Sequence, residues 1–572
     1  MSDQTNEIRV DLCGQLHNLD ELKRHLNPVP TIPDELESTC VLRAGWLRWG
    51  EALAGHLVGD FALAIEDPAR RVTYLARNAL GVKPLYYRLD CEPTSDRSGL
   101  CYGFSIPELQ QRCPKPATKD RDWAAAYLLS LTSSPTETAF VEIKKLAPGH
   151  WLRRDAQGRV TVRRFHEWRD DPPPATRRDP RWVEAYREQL REAVRCRMDA
   201  DAPMGAESSG GLDSSSIVAF LADLLGEPAE RLVTLGFATR DREPGFILKT
   251  SQARGIRHNH LITDQYEFAF DLERIHESVR VLGYPEEHPL VSAHLPLYRE
   301  CALRGINVLF SGAGGDEFVT NQAVNVRWEL RDRHLYPALW NVLPGNPLTR
   351  AVRMVKTLTV GQGMDQAAAR ANAEREFAEH ILRPEVVLRL GLREKHIEYD
   401  ATRPGYNSNN ALLLDYHLTR FNLLRRLEGC SVMAKAQGVD YRWPLLDARL
   451  IQQYLSTPSI EKVGPKGVGR YLHRRAVSGL VPAAVAWNSS KAMGTRSEFH
   501  AFSSAYFAEV CEVLKETIEG LNPDIAELLD RERLNETIRR IRGGGRLDPR
   551  LAAALKRQTD ALLALNYWYA RP

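Results

Sequence analysis

Short apolar segments separated by polar turns dominate the first 168 residues, and this pattern predicts β-strands. The strand-like segments lie at 8–12, 61–66, 72–76, 84–88 and 160–165. We therefore expect the first part of the chain to be rich in β-structure.

Beyond residue 180 the period of the pattern changes, and helical segments alternate with short apolar strands. A helical pattern covers 182–199 and 216–225, whereas strand patterns lie at 202–206, 231–237, 260–262 and 307–310. This alternation predicts a parallel sheet with crossover helices. After about residue 320 the chain is mainly helical, with apolar positions at helical spacing over 367–382 and 410–427.

The clearest break in composition runs from Asp170-Asp171-Pro172-Pro173-Pro174 to Asp179-Pro180. Three consecutive prolines favour an extended spacer and exclude a helix or a central strand. We therefore predict an N-terminal domain over 1–168, a proline-rich linker over 169–180 and a second domain over 181–572.

The composition of the chain is typical of a globular protein. The chain has 572 residues, 43% of them hydrophobic and 26% charged, which is typical of a globular protein with a large core. Nine scattered cysteines and the lack of a secretory signal favour reduced thiols and a cytoplasmic location. A net charge of +3 gives no reason to expect a nucleic-acid partner. The sequence contains no apolar run of about 20 residues, so it predicts no membrane span.

The sequence Ser209-Gly210-Gly211-Leu212-Asp213-Ser214-Ser215 lies between a predicted strand and a predicted helix. Backbone N–H groups and the helix dipole at such a place favour an anion, and the glycines allow a phosphate to approach closely. The carboxylate of Asp213 beside a phosphate requires a metal ion between them. The alternative is an ordinary strand-to-helix turn.

A second glycine-rich turn, Ser311-Gly312-Ala313-Gly314-Gly315-Asp316-Glu317, follows the apolar segment 307–310. Ligands bind beyond the carboxyl ends of strands in an open parallel sheet. We therefore expect both turns to open on one crevice, with Asp213 and Asp316 sharing a Mg²⁺ ion. Two unrelated structural turns are the alternative.

The motifs together resemble the asparagine synthetase family over nearly the whole chain. Gly14-Gln15-Leu16-His17-Asn18, Gly59-Asp60-Phe61-Ala62 and the segment 76–87 are similar to its glutaminase domain. Four segments are similar to its synthetase domain: the loop at Ser209, the Ser311 turn, Arg442-Trp443-Pro444-Leu445-Leu446-Asp447 and Lys491. The loop at Ser209 also resembles the pyrophosphate loop of ATP pyrophosphatases.

The resemblance implies an α/β chain in two parts. A degenerate N-terminal-nucleophile-type, glutaminase-like sandwich domain precedes an ATP-pyrophosphatase-type parallel-sheet synthetase domain with a helical C-terminal part. It also implies ATP and Mg²⁺ as cofactors, a carboxylate that is adenylated, and an amine that displaces AMP.

The resemblance further implies roles for individual residues. Ser209, Gly210, Gly211, Asp213, Ser214 and Ser215 are expected to bind the pyrophosphate of ATP, with Asp213 and Asp316 as the metal ligands. Leu235, Gly236, Ser311 and Gly312 are expected to flank the nucleotide. Lys491 is expected to stabilise the negative charge of the transition state, and the loop at 285–289 to help line the substrate pocket.

Two departures from the family pattern bear on function. Residue 2 is Ser where the family has its nucleophilic Cys, and the first cysteine is the internal Cys13. The strand with Gly14 also comes several dozen residues early, so we expect a truncated, inactive glutaminase domain. The second departure is Ala313, which stands where asparagine synthetases carry an acid and β-lactam synthetases a tyrosine. Glu428, by its distance from Pro444, is then the candidate base for an amine.

The sequence thus favours an ATP-dependent, AMP- and pyrophosphate-forming amide ligase that does not hydrolyse glutamine, by analogy a lasso-peptide-type macrocyclase. Its partners would be a small molecule or peptide carrying a carboxylate and an amine, with a precursor peptide and a maturation protease in the lasso case. Asparagine synthesis from ammonia or glutamine, a β-lactam-synthetase-like cyclase and a non-catalytic scaffold remain alternatives.

Overall fold

The computed structural model describes the chain apart from residues 1–7, 30–34, 91–98, 114, 133, 200–201, 227–229, 238–242, 263–269, 361–362, 402–404, 421–422, 489–495, 543–548 and 572. At residues 243–244, 363–365, 400–401, 419–420, 496–505, 542 and 549–551 it describes the backbone alone.

The N-terminal region contains two antiparallel sheets. The strands are β1 Arg9–Leu16, β2 Gly59–Asp67, β3 Val72–Arg77, β4 Tyr86–Arg88, β5 Cys101–Gly103, β6 Lys144–Lys145, β7 His150–Arg154 and β8 Val160–Arg164. One sheet has the order β1-β2-β3-β7-β8 and the other the order β5-β4-β6. Each of the five predicted strand segments overlaps a strand, although β1 begins one residue later than predicted, β4 two residues later, and β8 ends one residue earlier. The strands β5, β6 and β7 are too short or too irregular in pattern to be predicted.

A five-stranded parallel sheet forms the centre of the second region. Its strands are β9 Met204–Glu207, β10 Leu232–Phe237, β11 His258–Ile262, β12 Val308–Phe310 and β13 Asp440–Arg442, in the order β11-β10-β9-β12-β13. Every neighbouring pair is parallel. The predicted alternation of strands and crossover helices is therefore confirmed, and the chain has the mixed α/β architecture that the sequence indicates.

Helices surround both regions. In the N-terminal region they are Leu19–Leu26, Glu37–Trp49, the 3₁₀ segment Gly50–His56, Ile106–Arg112 and Arg121–Tyr127. Around the parallel sheet they are Pro180–Arg195, Leu212–Leu225, Glu243–Ala253, Leu272–Leu282, Leu290–Ala293 and Leu295–Leu303.

The chain beyond the second glycine-rich turn is mainly helical, as expected. The α-helices there are Val326–Asp332, Tyr336–Val342, Pro347–Thr359, Gly363–Phe377, Pro384–Leu390, Leu392–Ala401, Asn409–Ala411, Leu423–Ala436, Ala448–Leu455, Ser459–Lys462, Tyr471–Ala476, Ala483–Ala486, Arg496–Glu519, Pro523–Ala526, Arg531–Arg542 and Pro549–Tyr569. A π-helical segment, Leu412–Arg420, and the 3₁₀ turns Pro444–Leu446 and Pro465–Gly467 complete this part. No described helix has the length and apolar character needed to cross a membrane.

Several element boundaries differ from the predicted ones. The helix expected over 182–199 runs over Pro180–Arg195, because Asp179 caps its start by accepting a hydrogen bond from the backbone N–H of Arg181 at 3.0 Å. The helix expected over 367–382 ends at Phe377. The pattern over 410–427 corresponds to three successive helical pieces rather than one helix, since apolar spacing alone does not distinguish α- from π-helical turns.

Residues 165–179, which join the two regions, form neither helix nor strand. They are nevertheless held in place, since the backbone N–H of Arg169 donates to Gln452 and the Asp170 carboxylate accepts from Asn410. The proline-rich segment therefore lies against the second region as an ordered connection.

A buried arginine joins the two regions. Arg197 donates to both carboxylate oxygens of Asp60 at 2.7 and 2.9 Å, and to Asp447 at 2.7 Å. Its side chain is 1% exposed, and that of Asp447 is 2% exposed. Burial alone would raise the pKa of Asp447, but Arg197 and Arg449 hold it well below its usual range. Two sequence motifs far apart in the chain are thus tied by a single guanidinium group.

Replacing this arginine is expected to destabilise the fold. In Arg197→Met two carboxylates lose their shared cation inside the protein, and breaking such a buried pair costs about 3–5 kcal/mol. Urea unfolding compares this variant with Arg181→Ala, which removes an ion pair whose arginine is 87% exposed and which is therefore expected to contribute little. Equal shifts of the two unfolding midpoints would contradict the importance assigned to Arg197.

Candidate functional site

The candidate site lies where β9 and β12 end side by side. Gly205 pairs with Leu309 and Ala206 with Phe310 in parallel register. The chain leaves β9 for β10 and β11 on one side, and β12 and β13 lie on the other, so the strand order reverses between β9 and β12. Such a switch point is where open α/β sheets bind ligands.

The first glycine-rich loop is shorter than predicted. The helix already begins at Leu212, so Asp213, Ser214 and Ser215 belong to its first turn. Gly210 has a φ of +67°, and a Cβ there would lie 2.9 Å from the backbone N of Ile247. Both features require glycine.

Hydrogen bonds fix the loop to the helix that follows it. The backbone N–H of Ser209 donates to Ser214 Oγ at 3.2 Å, and the two hydroxyl oxygens lie 3.1 Å apart. No described side chain caps the helix at Gly211. The first N–H groups of the helix have no intrahelical acceptor, so together with the helix dipole they can bind an anion.

The second glycine-rich turn packs directly on the first loop. A Cβ on Gly312 would lie 2.6 Å from the carbonyl carbon of Asp213 and would overlap the backbone N of Ser214. A Cβ on Gly315 would lie 3.3 Å from the carboxyl carbon of Asp213. The two turns can approach this closely only because glycine stands at these positions.

The two predicted acidic residues face a common cation. Arg470 contacts Asp213 Oδ2 at 3.4 Å through Nη1, and it donates to Asp316 Oδ1 through Nη2. The Asp213 side chain is 13% exposed and that of Asp316 is 42% exposed. Both carboxylates therefore reach one point at the mouth of the crevice. Arg470 has no local sequence signal, because its role follows only from the tertiary fold.

Leu235 and Gly236 also lie beside the loop. The carbonyl of Leu235 accepts a hydrogen bond from the backbone N–H of Ser208 at 2.7 Å, while the Leu235 side chain is fully buried. A Cβ on Gly236 would overlap the carbonyl oxygen of Ser208. Backbone atoms of β10 therefore form one wall of the crevice beside the first glycine-rich loop. Likewise Ser311 begins the opposite wall, where its Oγ accepts from the backbone N–H of Ala313 at 3.0 Å.

Glu428 does not occupy the position expected of a base, and this prediction is corrected. Its side chain is fully buried, with Oε1 accepting from Arg77 at 2.7 Å and Oε2 from Lys145 at 3.1 Å. Both cations belong to the N-terminal region. Both carboxylate oxygens are thus engaged by cations, and the observed contacts of Glu428 are between the two regions.

Lys491 lies outside the described residues. The chain that leads to it is anchored near the acidic pair, because Arg474 donates to the carbonyl oxygens of Ala486 and, at 3.1 Å, Asn488. Arg474 is one helical turn after Arg470. Asn488, the last described residue before Lys491, is therefore held by an arginine that lies close in the chain to Arg470.

A buried carboxylate in the crevice was not among the predicted site residues. Glu207, the last residue of β9, accepts hydrogen bonds from Tyr441 OH at 2.8 Å and from Ser311 Oγ. His294 Nε2 lies 3.7 Å from Glu207 Oε1. A glutamate directly after the apolar residues Met204 to Ala206 is the sequence signal that could have identified it.

A separate cavity of about 290 Å³ lies behind His294. It is lined by apolar side chains from several helices and by a few charged groups, among them Pro289, Ala293, Phe507, Glu286 and Lys556. Burial raises the pKa of Glu286 to about 7. The helix Leu290–Ala293 separates this cavity from Glu207, so the loop expected to line a substrate pocket borders an actual cavity.

Comparison with known proteins agrees with this geometry. Residues 185–570 match the asparagine synthase family, and residues 1–166 match the glutamine amidotransferase domain. The asparagine synthetase [glutamine-hydrolyzing] 1 of Bacillus subtilis is 23% identical over 82% of this chain and 73% of its own length. A putative asparagine synthetase of Mycobacterium tuberculosis is 26% identical over 82% and 72%.

More distant similarities cover less of the molecule. Amidase chyE of Penicillium rubens is 26% identical over 62% of this chain and 52% of its own length. A solved structure of glutamine phosphoribosylpyrophosphate amidotransferase from B. subtilis covers 46% of this chain at 13% identity and a TM-score of 0.20, which is too low to support an argument. The asparagine synthase match alone covers more than half of the chain. This protein is therefore a member of the asparagine synthase family and an ATP-dependent amide ligase.

Proposed function

We propose that this protein adenylates a carboxylate of its substrate and couples it to an amine of the same molecule, as a lasso-peptide-type macrocyclase, without hydrolysing glutamine. The observation that carries the proposal is a contrast within one turn. Asp316 of the second glycine-rich turn is intact and shares Arg470 with Asp213, whereas residue 313 of the same turn is an alanine that can neither accept a proton nor hold an ammonium ion.

In the first step a carboxylate oxygen attacks the α-phosphorus of ATP, and the bond to the departing pyrophosphate breaks. The first turn of helix Leu212–Leu225 is placed to receive the negative charge of the pyrophosphate, through its N–H groups and its dipole. The hydroxyl groups of Ser209 and Ser214 lie at the same helix end. Pre-arranged donors of this kind stabilise a leaving group without reorganisation.

The residues present fit a magnesium ion. Asp213 and Asp316 supply carboxylate oxygens, which Mg²⁺ prefers, and their contacts with the two terminal nitrogens of Arg470 support the proposal that both bind one cation. When bound there together with the phosphates, Mg²⁺ would neutralise charge on the leaving pyrophosphate. Arg470 would remain beside both carboxylates and orient them.

Features of the N-terminal region support independence from glutamine. Cys13 lies inside strand β1, paired with Ala62, and burial raises the pKa of its thiol, which disfavours the nucleophilic thiolate. Arg77 and Lys145 are engaged with the buried Glu428. Their described contacts support a structural role for this region.

The cavity behind His294 supports a substrate larger than a single amino acid. Its wall is largely apolar, and it is bordered by the helix Leu290–Ala293, whose next residue contacts Glu207 in the crevice. Apolar cavities with a few polar groups are typical of sites that hold organic ligands. An apolar part of a substrate is the kind of ligand that fits such a cavity.

Asparagine formation from ammonia or glutamine is the second candidate, and two similar proteins are named asparagine synthetases, glutamine-hydrolyzing. One experiment separates the candidates. Pyrophosphate exchange into ATP is measured over a panel of amino acids and of short peptides that carry an Asp or Glu side chain and a free N-terminal amine. We expect exchange with a peptide, and a product whose mass is that of the peptide minus one water. Asparagine formed from aspartate and ammonia, with no peptide active, would favour the second candidate.

Lys491→Ala is expected to lower amide formation by more than about 10²-fold, comparable to the loss of one charge-stabilising donor in an active site. The reason is that the ammonium group opposes negative charge on the tetrahedral intermediate and on AMP. The control is Lys515→Ala, since Lys515 is an exposed residue paired with Glu512. Unchanged product formation in Lys491→Ala would count against the proposed role.

Gly312→Ala is expected to reduce pyrophosphate exchange on the order of 10²-fold, because the added methyl group pushes the second turn away from Asp213 and Ser214. Gly55→Ala is the matched control, since a Cβ there meets nothing within 4 Å. Circular dichroism establishes that both variants are folded. Normal exchange by folded Gly312→Ala would mean that the contact between the turns is not needed for adenylation.

A further inference from the structure

Glu207 lies at the carboxyl edge of the sheet, directly before the first glycine-rich loop. Its Cα pairs with that of Leu235, and its side chain spans the ends of β12 and β13 by contacting Ser311 and Tyr441. The side chain is 17% exposed, so it is partly open to the crevice. Its carboxylate therefore lies where the second step of an amide ligase has to occur.

The contacts of Glu207 differ from those of the other acids near the site. Asp213 and Asp316 share Arg470, and Glu428 is held by Arg77 and Lys145. Glu207 instead accepts hydrogen bonds from the hydroxyl groups of Ser311 and Tyr441. Hydroxyl donors orient a carboxylate without neutralising its charge, so Glu207 keeps the capacity to bind an ammonium group or accept a proton.

The protonation state of Glu207 fits this use. Burial raises the pKa of the carboxyl group, but His294, the hydrogen bond from Ser311, Arg426 and Tyr441 outweigh burial and lower the pKa overall. The group is therefore ionised when the amine arrives. The Oε1 atom faces His294 at 3.7 Å, longer than a hydrogen bond, whereas Oε2 accepts both hydroxyl groups.

We propose that Glu207 is the catalytic residue that receives the proton of the attacking amine, a role that the alanine at position 313 cannot fill. This inference rests on the proposed function. The amine nitrogen forms a bond to the acyl carbon, the bond from that carbon to the AMP oxygen breaks, and AMP departs with the electron pair. The proton passes from nitrogen to the carboxylate of Glu207 and from there to solvent. Tyr441 and Ser311 act as positioning residues for the carboxylate.

The two half-reactions provide the test. Adenylation is measured as pyrophosphate exchange, and the second step is measured as the amount of amide product. Both assays use the carboxylate substrate that is active in the panel above. Glu207→Gln keeps the shape and an acceptor oxygen but loses the charge. We expect exchange to be unchanged and amide formation to fall by about 10²- to 10⁴-fold, the usual contribution of a general base.

Hydroxylamine provides a second readout that a structural role would not produce. It is a nucleophile that is neutral near physiological pH, so it attacks an acyl-adenylate without first losing a proton to the protein. We expect Glu207→Gln to form the hydroxamate at the rate of the unaltered protein. Glu277→Gln is the matched control, because Glu277 is 18% exposed and pairs with Arg299 outside the crevice.

Each outcome decides the matter. Loss of exchange together with amide formation, or a failure of hydroxylamine to rescue, would mean that Glu207 is structural. Amide formation at the normal rate in Glu207→Gln would also overturn the inference. An absence of exchange by the unaltered protein with every carboxylate would instead overturn the proposed function, and the role of Glu207 with it.

Discussion

The parallel pairing of β9 with β12 is the constraint on which the candidate site depends. These strands are neighbours in space but about a hundred residues apart in sequence, and each ends in a glycine-rich turn. Because parallel strands end at the same edge of a sheet, the two turns must meet there. The backbone contact between Gly312 and Asp213 and the shared contacts with Arg470 are consequences of that pairing. Any change that shifts one strand along the other would separate the two carboxylates.

Much of this arrangement could be predicted because its signals are local. The loop at Ser209 and the turn at Ser311 each combine an apolar strand, glycines and an acid within about ten residues, and the parallel sheet follows from the alternation of strands and helices. Gly210 adopts the positive φ that its sequence context suggests. The prediction that both acids face one crevice needs only the rule for the carboxyl ends of parallel strands, and the structure places them on a common arginine.

The remainder of the site could not be predicted because it depends on contacts between distant parts of the chain. Glu428 has the sequence position of a base, but its partners Arg77 and Lys145 lie some 300 residues away, and no local pattern shows that they bury it. Arg470 and Tyr441 likewise acquire their roles only through tertiary packing. Glu207 differs, since it has a local signal as an ionisable residue at the end of an apolar strand, but only the fold brings Ser311 and Tyr441 to its carboxylate. The position of Lys491 stays a prediction.

The buried charges between the two regions explain why an amide ligase that does not use glutamine would still keep its N-terminal region. Asp447 and Glu428 belong to the synthetase region, and each is buried with a cation. Arg197 bridges Asp447 to Asp60 of the N-terminal region, and Arg77 and Lys145 of that region neutralise Glu428. Without these partners at least one carboxylate would be left buried and uncompensated, which is far more costly than losing an exposed ion pair. Asp447 also caps the helix Ala448–Leu455, which directly follows β13 and its turn. The N-terminal region therefore contributes to the stability of the synthetase region through these buried ion pairs, independently of any chemistry of its own.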